Sequence, residues 1–512
     1  RIKMDRALMK KIKTSDKYAF VSTFVFGLIA HFYRMTNWLP NWDSLVFRAD
    51  TQHMEPLGRW FLPYASLIST EYELPWLNGL LALLYLSVAA VFVSRIFDME
   101  NKVAVCLLGG ITAAFPTVTS TFTYCYVVDA YALSFLFACI AAYLLAKKSR
   151  VEAIFAAVLI TLSMGIYQAY VTVTVSLLLC FLIINLLSGE KDAASAVKNG
   201  AKYFLCGAAA FLMYYIVQKT VTAVMHIEAS DYQEFSQTLL FREIDILSAI
   251  PASLYLFIHF FADFSKGFNL YSAVNVLVFL FLAAGYLTVM IKNLRGAGKI
   301  ILTVVLILCI PFGCSALYFA NINIDYHCLM KMGFFIVYVY LILLFEKFDF
   351  VKLDTVKKWG ITALCGLLIF LNIRTANVTY HKLQISFEKS YGILIRIAER
   401  MESLDGFENA EKILVVGELE NSKAYSVDFP PEITGTTDGL IIRKDDETVH
   451  QSVLSAALKD YCDIELDFLF GQEAKDMGES ERVKNMPCWP ARDSVAIFEN
   501  TVIVKLSDGE EK

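Results

Sequence analysis

Long apolar runs alternate with short charged connections over the first three quarters of the chain, and the alternation stops near residue 375. A helix that crosses a bilayer needs roughly 20 mostly apolar residues to cover the hydrocarbon layer. Eleven runs meet or approach that length: 18–36, 75–95, 103–120, 128–146, 151–166, 169–188, 202–224, 270–291, 300–320, 331–346 and 357–374. They predict an all-α polytopic membrane domain over residues 1–375, with about eleven crossings. Residues 244–264 are also apolar, but a crossing there would invert every later loop. A helix lying at the outer interface fits the charges better.

After residue 375 the pattern changes to that of a small α/β or α+β domain spanning 376–512. It opens with an amphipathic helix, HKLQISFEKSYGILIRIAERMESL, whose Leu383, Phe387, Ile393, Leu394 and Ile397 fall near one face. Strand-like pieces follow at 412–419, 439–443 and 466–470, and 495–506 reads as a hairpin turning at Glu499-Asn500.

Composition supports the membrane reading, since 57% of the 512 residues are hydrophobic and 14% aromatic, far more than a soluble core of this length needs. Lysines and arginines then set the orientation, because they gather in cytoplasmic loops. Lys3, Arg6, Lys10, Lys11, Lys13 and Lys17 precede the first run, which places the N-terminus inside. Alternate connections are basic to the end of the membrane domain, whereas 121–128 and 166–169 carry no lysine or arginine and 321–331 only Lys331. The segment NWDSLVFRADTQHMEPLGRW at 41–60, the region 225–269 and everything after about 375 are therefore expected outside. No cleavable leader is expected, because the first run is flanked like an uncleaved anchor. The net charge of −5 sums loops facing two compartments and points to no nucleic-acid partner.

The eleven cysteines contain no CxxC pair; most lie within apolar runs and read as small packing residues. Cys462 and Cys488 are candidates for a disulfide in the outer domain. More informative are the polar residues at the outer edges of the runs, because ionisable groups there are costly and mark function by default. They are Asp43 in the first loop, Asp129 in TYCYVVDAYALSF, Tyr167 and Gln168 in GIYQAY, and Asp325, His327 and Lys331 in NINIDYHCLMKMG. Trp42, Trp60, Tyr124 and Tyr126 fit an interfacial aromatic belt.

In their order these motifs resemble the Gtr-type serotype-converting glucosyltransferases, a polytopic bacterial family with a GT-C-like fold. The match rests on Asp43, Arg48 and Gly58-Arg59-Trp60 in the first loop, on VVDAYALSF with Asp129, on GIYQAY with Tyr167 and Gln168, and on FLNIRTANVTYHKLQISFEKSYGILIRIAERM. Where the family often carries adjacent acidic residues, Trp42 precedes Asp43 here, so Asp50 or Glu55 is available to share its role; where it often has a late-loop arginine, Lys331 is the nearest cation.

The resemblance implies transfer of a glucosyl or other hexosyl residue from a polyprenyl-phosphate donor to a cell-surface glycan, such as O-antigen or teichoic acid, outside the bacterial cytoplasmic membrane. Inverting displacement needs a base for the acceptor hydroxyl and a cation for the departing phosphate. Asp43, with Asp50, is the expected base, and Arg48, Arg59 and Lys331 are the expected phosphate ligands. Asp129, Tyr167, Gln168, Trp60 and His327 are expected to contact sugar or acceptor. No cofactor is required by this scheme, although the oxygens of Asp43, Asp50 and Glu55 suit a divalent cation. Expected partners are the lipid donor, the glycan acceptor, membrane lipids, a donor-synthesising glycosyltransferase and a flippase. Two rival classes are a transporter of lipid-linked sugars, which would show a repeat and a mid-membrane site, and a polymerase or ligase, which would show a large late outer loop.

Overall fold

A computed structural model describes residues 12–46, 52–70, 72–147, 149–189, 192–228, 245–265, 267–348, 355–417, 419, 432–435 and 447–508. These fall into two compact units, one within Arg1–Asn37, Asp50–Asn377 and Phe429–Thr434, the other within Trp38–Ala49, Val378–Asp428 and Gly435–Lys512.

The first unit is helical. Its helix α1 (Thr14–Thr36) buries Ala19, Thr23, Gly27, Ala30 and Arg34 along one face, a mostly small-residue stripe at helical spacing. That stripe lets it lie close against α4 (Pro75–Ile96) and α5 (Lys102–Ala114). The fit is tight at Gly109, where an added Cβ would stand 2.8 Å from the Thr23 backbone nitrogen. The chain between α1 and α4 carries the short helices α2 (Trp42–Val46) and α3 (Leu62–Ser66). Proline sets several starts: Pro75 opens α4, and Pro116 opens α6 (Pro116–Thr123) directly after α5. Then follow α7 (Val128–Ala146), α8 (Arg150–Ile166), α9 (Val171–Leu187), α10 (Ala193–Met225), α11 (Ile246–Phe261), α12 (Leu270–Asn293), α13 (Ala297–Leu308), α14 (Ile310–Cys314) and α15 (Ile336–Lys347). Val25, Ile29 and Phe32 of α1 and Phe204 and Leu205 of α10 are exposed, as lipid-facing side chains would be.

Eight described helices are long and apolar enough to cross a membrane, and the protein is membrane-embedded. The expected run 151–166 forms the unbroken 17-residue α8, whereas 300–320 and 331–346 form shorter or broken helices. Pro311 explains one break: α13 ends at Leu308 and α14 restarts with that proline in its first turn. The 244–264 run becomes α11, 16 residues with Pro251 inside. The last run and the amphipathic tail helix are one continuous 48-residue helix, α16 (Thr355–Glu402).

The second unit holds a four-stranded sheet in the order β2-β1-β4-β3, formed by β1 (Lys412–Val416), β2 (Asp467–Phe468), β3 (Val495–Phe498) and β4 (Thr501–Lys505). The β1 strand runs parallel to both neighbours. The predicted hairpin is present, with β3 antiparallel to β4 across Glu499, at φ 60°, and Asn500. Side chains alternate between two cores, as a strand covered on both faces requires. Ile413, Val502 and Val504 face Leu394, Ile397 and Met401 of α16, Leu454 and Leu458 of α17 (Glu447–Cys462), and Leu45 of α2. Leu414 and Ile503 face Leu469, Ala474 and Val483. The expected strand 439–443 lies outside the described residues, and Cys462 and Cys488, proposed as a disulfide, are both free.

Candidate functional site

The loop after α1 is carried by its own backbone. Pro56 starts a 3-10 turn over Glu55–Leu57, and Gly58 closes it at φ 76°, a left-handed conformation that suits glycine. Three carbonyls of this loop are then gripped by side chains from elsewhere in the unit. Gln218 Nε2 donates to Glu55 O at 2.8 Å, Gln168 Nε2 donates to Leu57 O at 2.7 Å, and the Tyr214 hydroxyl donates to Gly58 O at 3.1 Å. Gln168 also donates to the Tyr214 oxygen at 3.0 Å, so both of its amide hydrogens are engaged. Further on, Phe61 N donates to Gly165 O at 2.8 Å. The Trp60 indole lies on Gly165, where a Cβ would come within 2.8 Å of the ring. The GRW and GIYQAY motifs thus pack on each other, and the glycine in the second is there because the indole occupies the space.

These anchors deliver Arg59. Its Nη1 donates to the Tyr131 hydroxyl at 3.2 Å and reaches Met54 Sδ at 3.3 Å. Its guanidinium carbon sits 4.8 Å from the centre of the Tyr167 ring, a cation–π arrangement. Tyr167 stacks on Tyr131 with centroids 4.6 Å apart and planes 7° apart, and Tyr170 stands edge-on to both.

The late loop faces the same place. Arg59 and Lys331 both act electrostatically on His327, as does Asp325. Burial holds the His327 imidazole down to about 4, opposed by Asp325 and reinforced by the two cations, so the ring is neutral at physiological pH. Its Nδ1 is buried without a hydrogen-bond partner among the described residues. Burial also lowers the Lys331 ammonium from its usual value, against the fields of Cys328, Glu432 and Asp325. The Lys331 Nζ lies 5.8 Å from the centre of the Phe260 ring of α11. The loop is tied down by Thr117 of α6, whose hydroxyl donates to Cys328 O at 2.9 Å.

Asp129 sits deeper, in the first turn of α7, and is 1% exposed. Asn78 Nδ2 donates to its Oδ1 at 3.1 Å and to Ser69 Oγ at 3.0 Å. A fully buried ion pair belongs to the same interior: Arg34 Nη2 meets Glu73 Oε1 at 2.7 Å, and both side chains have 0% exposure. Arg34 Nε also donates to Phe122 O at 3.0 Å. Cys125 lies within the fields of Arg34, Glu73 and Asp129 alike.

Of the residues expected at the site, the first unit therefore brings together Arg59, Tyr167, His327 and Lys331, with Trp60 and Gln168 holding the loop beneath Arg59. Asp129 joins the interior network instead. Asp43 stands on α2 in the second unit, two residues before the buried Leu45. Arg48 and Asp50 lie outside the described residues. Glu55 pairs with His53 at 3.0 Å. Sequence reasoning missed Tyr131, Arg34 and Glu73; an arginine closing an apolar run is the signal that would have found Arg34.

The pattern of the glucosyl transferase GtrII family matches residues 32–345, more than half of the chain. The chain belongs to the GtrII family. Membership in GtrII indicates a glucosyltransferase. No curated protein matches the chain. The stretch matched to GtrII takes in Arg59, Asp129, Tyr167, Gln168, His327 and Lys331.

Proposed function

We propose that this GtrII-family protein transfers glucose from a polyprenyl-phosphate donor to a cell-surface glycan at the outer face of the bacterial cytoplasmic membrane, by a GT-C-type inverting displacement. The observation that carries the reading is the position of Arg59, gripped from three backbone carbonyls and laid over Tyr167, with Lys331 acting on the same histidine. Two cations around one site suit a leaving group whose negative charge grows as the glycosidic bond breaks. The guanidinium meets phosphate oxygens through paired N–H donors, and the ammonium acts as a point charge.

The acceptor hydroxyl needs a base, and on the first-loop sequence motif alone that role is assigned to Asp43, with Asp50 as the second candidate. Trp60 offers an aromatic face to the sugar, while Tyr167, Asp129 and Gln168 act indirectly, by carrying Arg59 and by holding helix ends and loop. His327, being neutral, suits a hydrogen bond to a hydroxyl better than a contact to phosphate. The charge pattern orients the chain with its N-terminus cytoplasmic. Donor synthesis and donor flipping are supplied by other membrane proteins.

The test is transfer of radiolabelled glucose from polyprenyl-phosphate-glucose to envelope glycan in membranes containing wild type, Arg59→Gln or Asp43→Asn at matched expression. Wild type is expected to transfer, and Arg59→Gln to lose roughly 100- to 1,000-fold in kcat, the usual loss for removing one charge-stabilising donor. A wild type inactive with this donor, or an Arg59→Gln variant of full activity, overturns the assignment.

A further inference from the structure

A short segment from far along the chain is built into the first unit. Thr434 makes three hydrogen bonds there. Its backbone N donates to Ser120 Oγ at 3.0 Å, its carbonyl accepts from Thr123 Oγ1 at 2.9 Å, and its hydroxyl accepts from Cys328 N at 2.8 Å. Ser120 and Thr123 belong to α6, and Cys328 is in the late loop three residues before Lys331. Ile433 beside it is buried. Two residues back, Glu432 is exposed, and its carboxylate acts on both Lys331 and Cys328. The chain up to Asp428 and from Gly435 onward belongs to the second unit.

We propose that Glu432–Thr434 is a strap that completes the donor-phosphate site: Thr434 pins the late loop to α6, and Glu432 holds Lys331 as a cation until the phosphate takes its place. This rests on the glucosyltransferase reading above. The geometry gives the strap a chemical role as well as a structural one. Lys331 is largely buried beside Phe260, and a buried ammonium without a counter-charge tends to give up its proton. The groups facing it are Glu432 on the strap and Asp325, His327 and Cys328 on its own loop, with Arg59 acting on His327 from the first loop. Asp325 and Glu432 are the carboxylates among them. When a lipid phosphate arrives, its oxygens replace the Glu432 carboxylate as counter-charge, so Glu432 is a positioning residue acting through Lys331.

The experiment uses the full-length protein in detergent, with polyprenyl-phosphate-glucose as donor, and reads KM and kcat separately between pH 6 and 9 for wild type, Glu432→Gln, Thr434→Val and Thr434→Ser. Glu432→Gln should raise the donor KM with kcat little changed, and move the alkaline limb of kcat/KM to lower pH. Thr434→Val removes the hydroxyl acceptor of Cys328 N and should raise the donor KM about 5-fold, the value of one hydrogen bond of about 1 kcal/mol. Thr434→Ser keeps the hydroxyl and should restore wild-type behaviour even if the valine variant folds poorly. If wild type transfers glucose and both Glu432→Gln and Thr434→Val match it in KM and pH profile, the strap proposal is overturned and the glucosyltransferase reading stands. If wild type itself transfers nothing from this donor, the donor reading fails and takes the strap's role with it.

Discussion

The Arg34–Glu73 pair makes a sharp test of how the first unit is held together. Both side chains are fully buried with 2.7 Å between Nη2 and Oε1, and Glu73 Oε2 has no hydrogen-bond partner among the described residues. At that separation two unit charges attract by about 6 kcal/mol with an effective dielectric constant near 20. Much of this offsets the cost of taking both charges out of water, so the pair as a whole contributes little net stability. Breaking it is different. Glu73→Gln leaves the Arg34 charge buried without its carboxylate, among neutral acceptors such as the carbonyls of Phe122 and Asn37. The expected cost is roughly 3–5 kcal/mol, and Arg34→Met, which strands Glu73, should cost a similar amount. The double variant Arg34→Met/Glu73→Leu strands neither charge and should recover most of the loss. The assay is a double-mutant cycle on purified protein, with unfolding in detergent followed by tryptophan fluorescence. Single variants within about 0.5 kcal/mol of wild type, or a double variant whose loss is the sum of the two, would refute the reasoning.

Two further outcomes follow from the site. Gly165→Ala places a methyl group 2.8 Å from the Trp60 ring, so the indole and the loop that carries Arg59 must shift; a loss of about 1–3 kcal/mol in thermal stability is expected, together with reduced kcat, and Gly165→Ser should do no better. His327 binds its proton only near pH 4 in the folded chain but near 6.5 when unfolded. The unfolded state therefore holds more protons between those values, so the His327 contribution is fully present above about pH 6.5 and is lost as pH falls toward 4, by up to about 3 kcal/mol. A pH series of unfolding midpoints should show this slope flattened in His327→Asn.

The apolar runs were legible because a bilayer imposes a length that can be counted on the sequence. What the count could not show is where a run breaks: Pro311 sits inside a stretch that reads as one crossing and divides it into two helices. The first-loop and GIYQAY motifs stood out as chemistry-bearing, and they do meet, yet Gln168 and Trp60 meet the loop itself. Residue type at a membrane edge does not distinguish a side chain that holds a backbone from one that contacts a ligand. Nothing in the sequence pairs Arg34 with Glu73, because only the packing of α1 against α4 brings residues 39 apart in sequence into contact. Glu432 carries no local signal at all, since its meaning comes from where the neighbouring Thr434 is fastened.

That fastening has a consequence for the order in which the protein is made. Chains emerge from the ribosome N-terminus first, at about 5–20 residues per second, and early domains ordinarily fold while later ones are still being synthesised. Here the first unit cannot finish in that order. Ser120, Thr123 and Cys328 meet Thr434 only after more than 100 further residues have followed Cys328 out. Leu45, just past the first apolar helix, waits still longer for the strands at 413 and 502 that bury it. A nascent chain halted after the last apolar run would hold Arg59 and Lys331 yet lack both closures, so the site is complete only once Thr434 and the strands at 413 and 502 have been made.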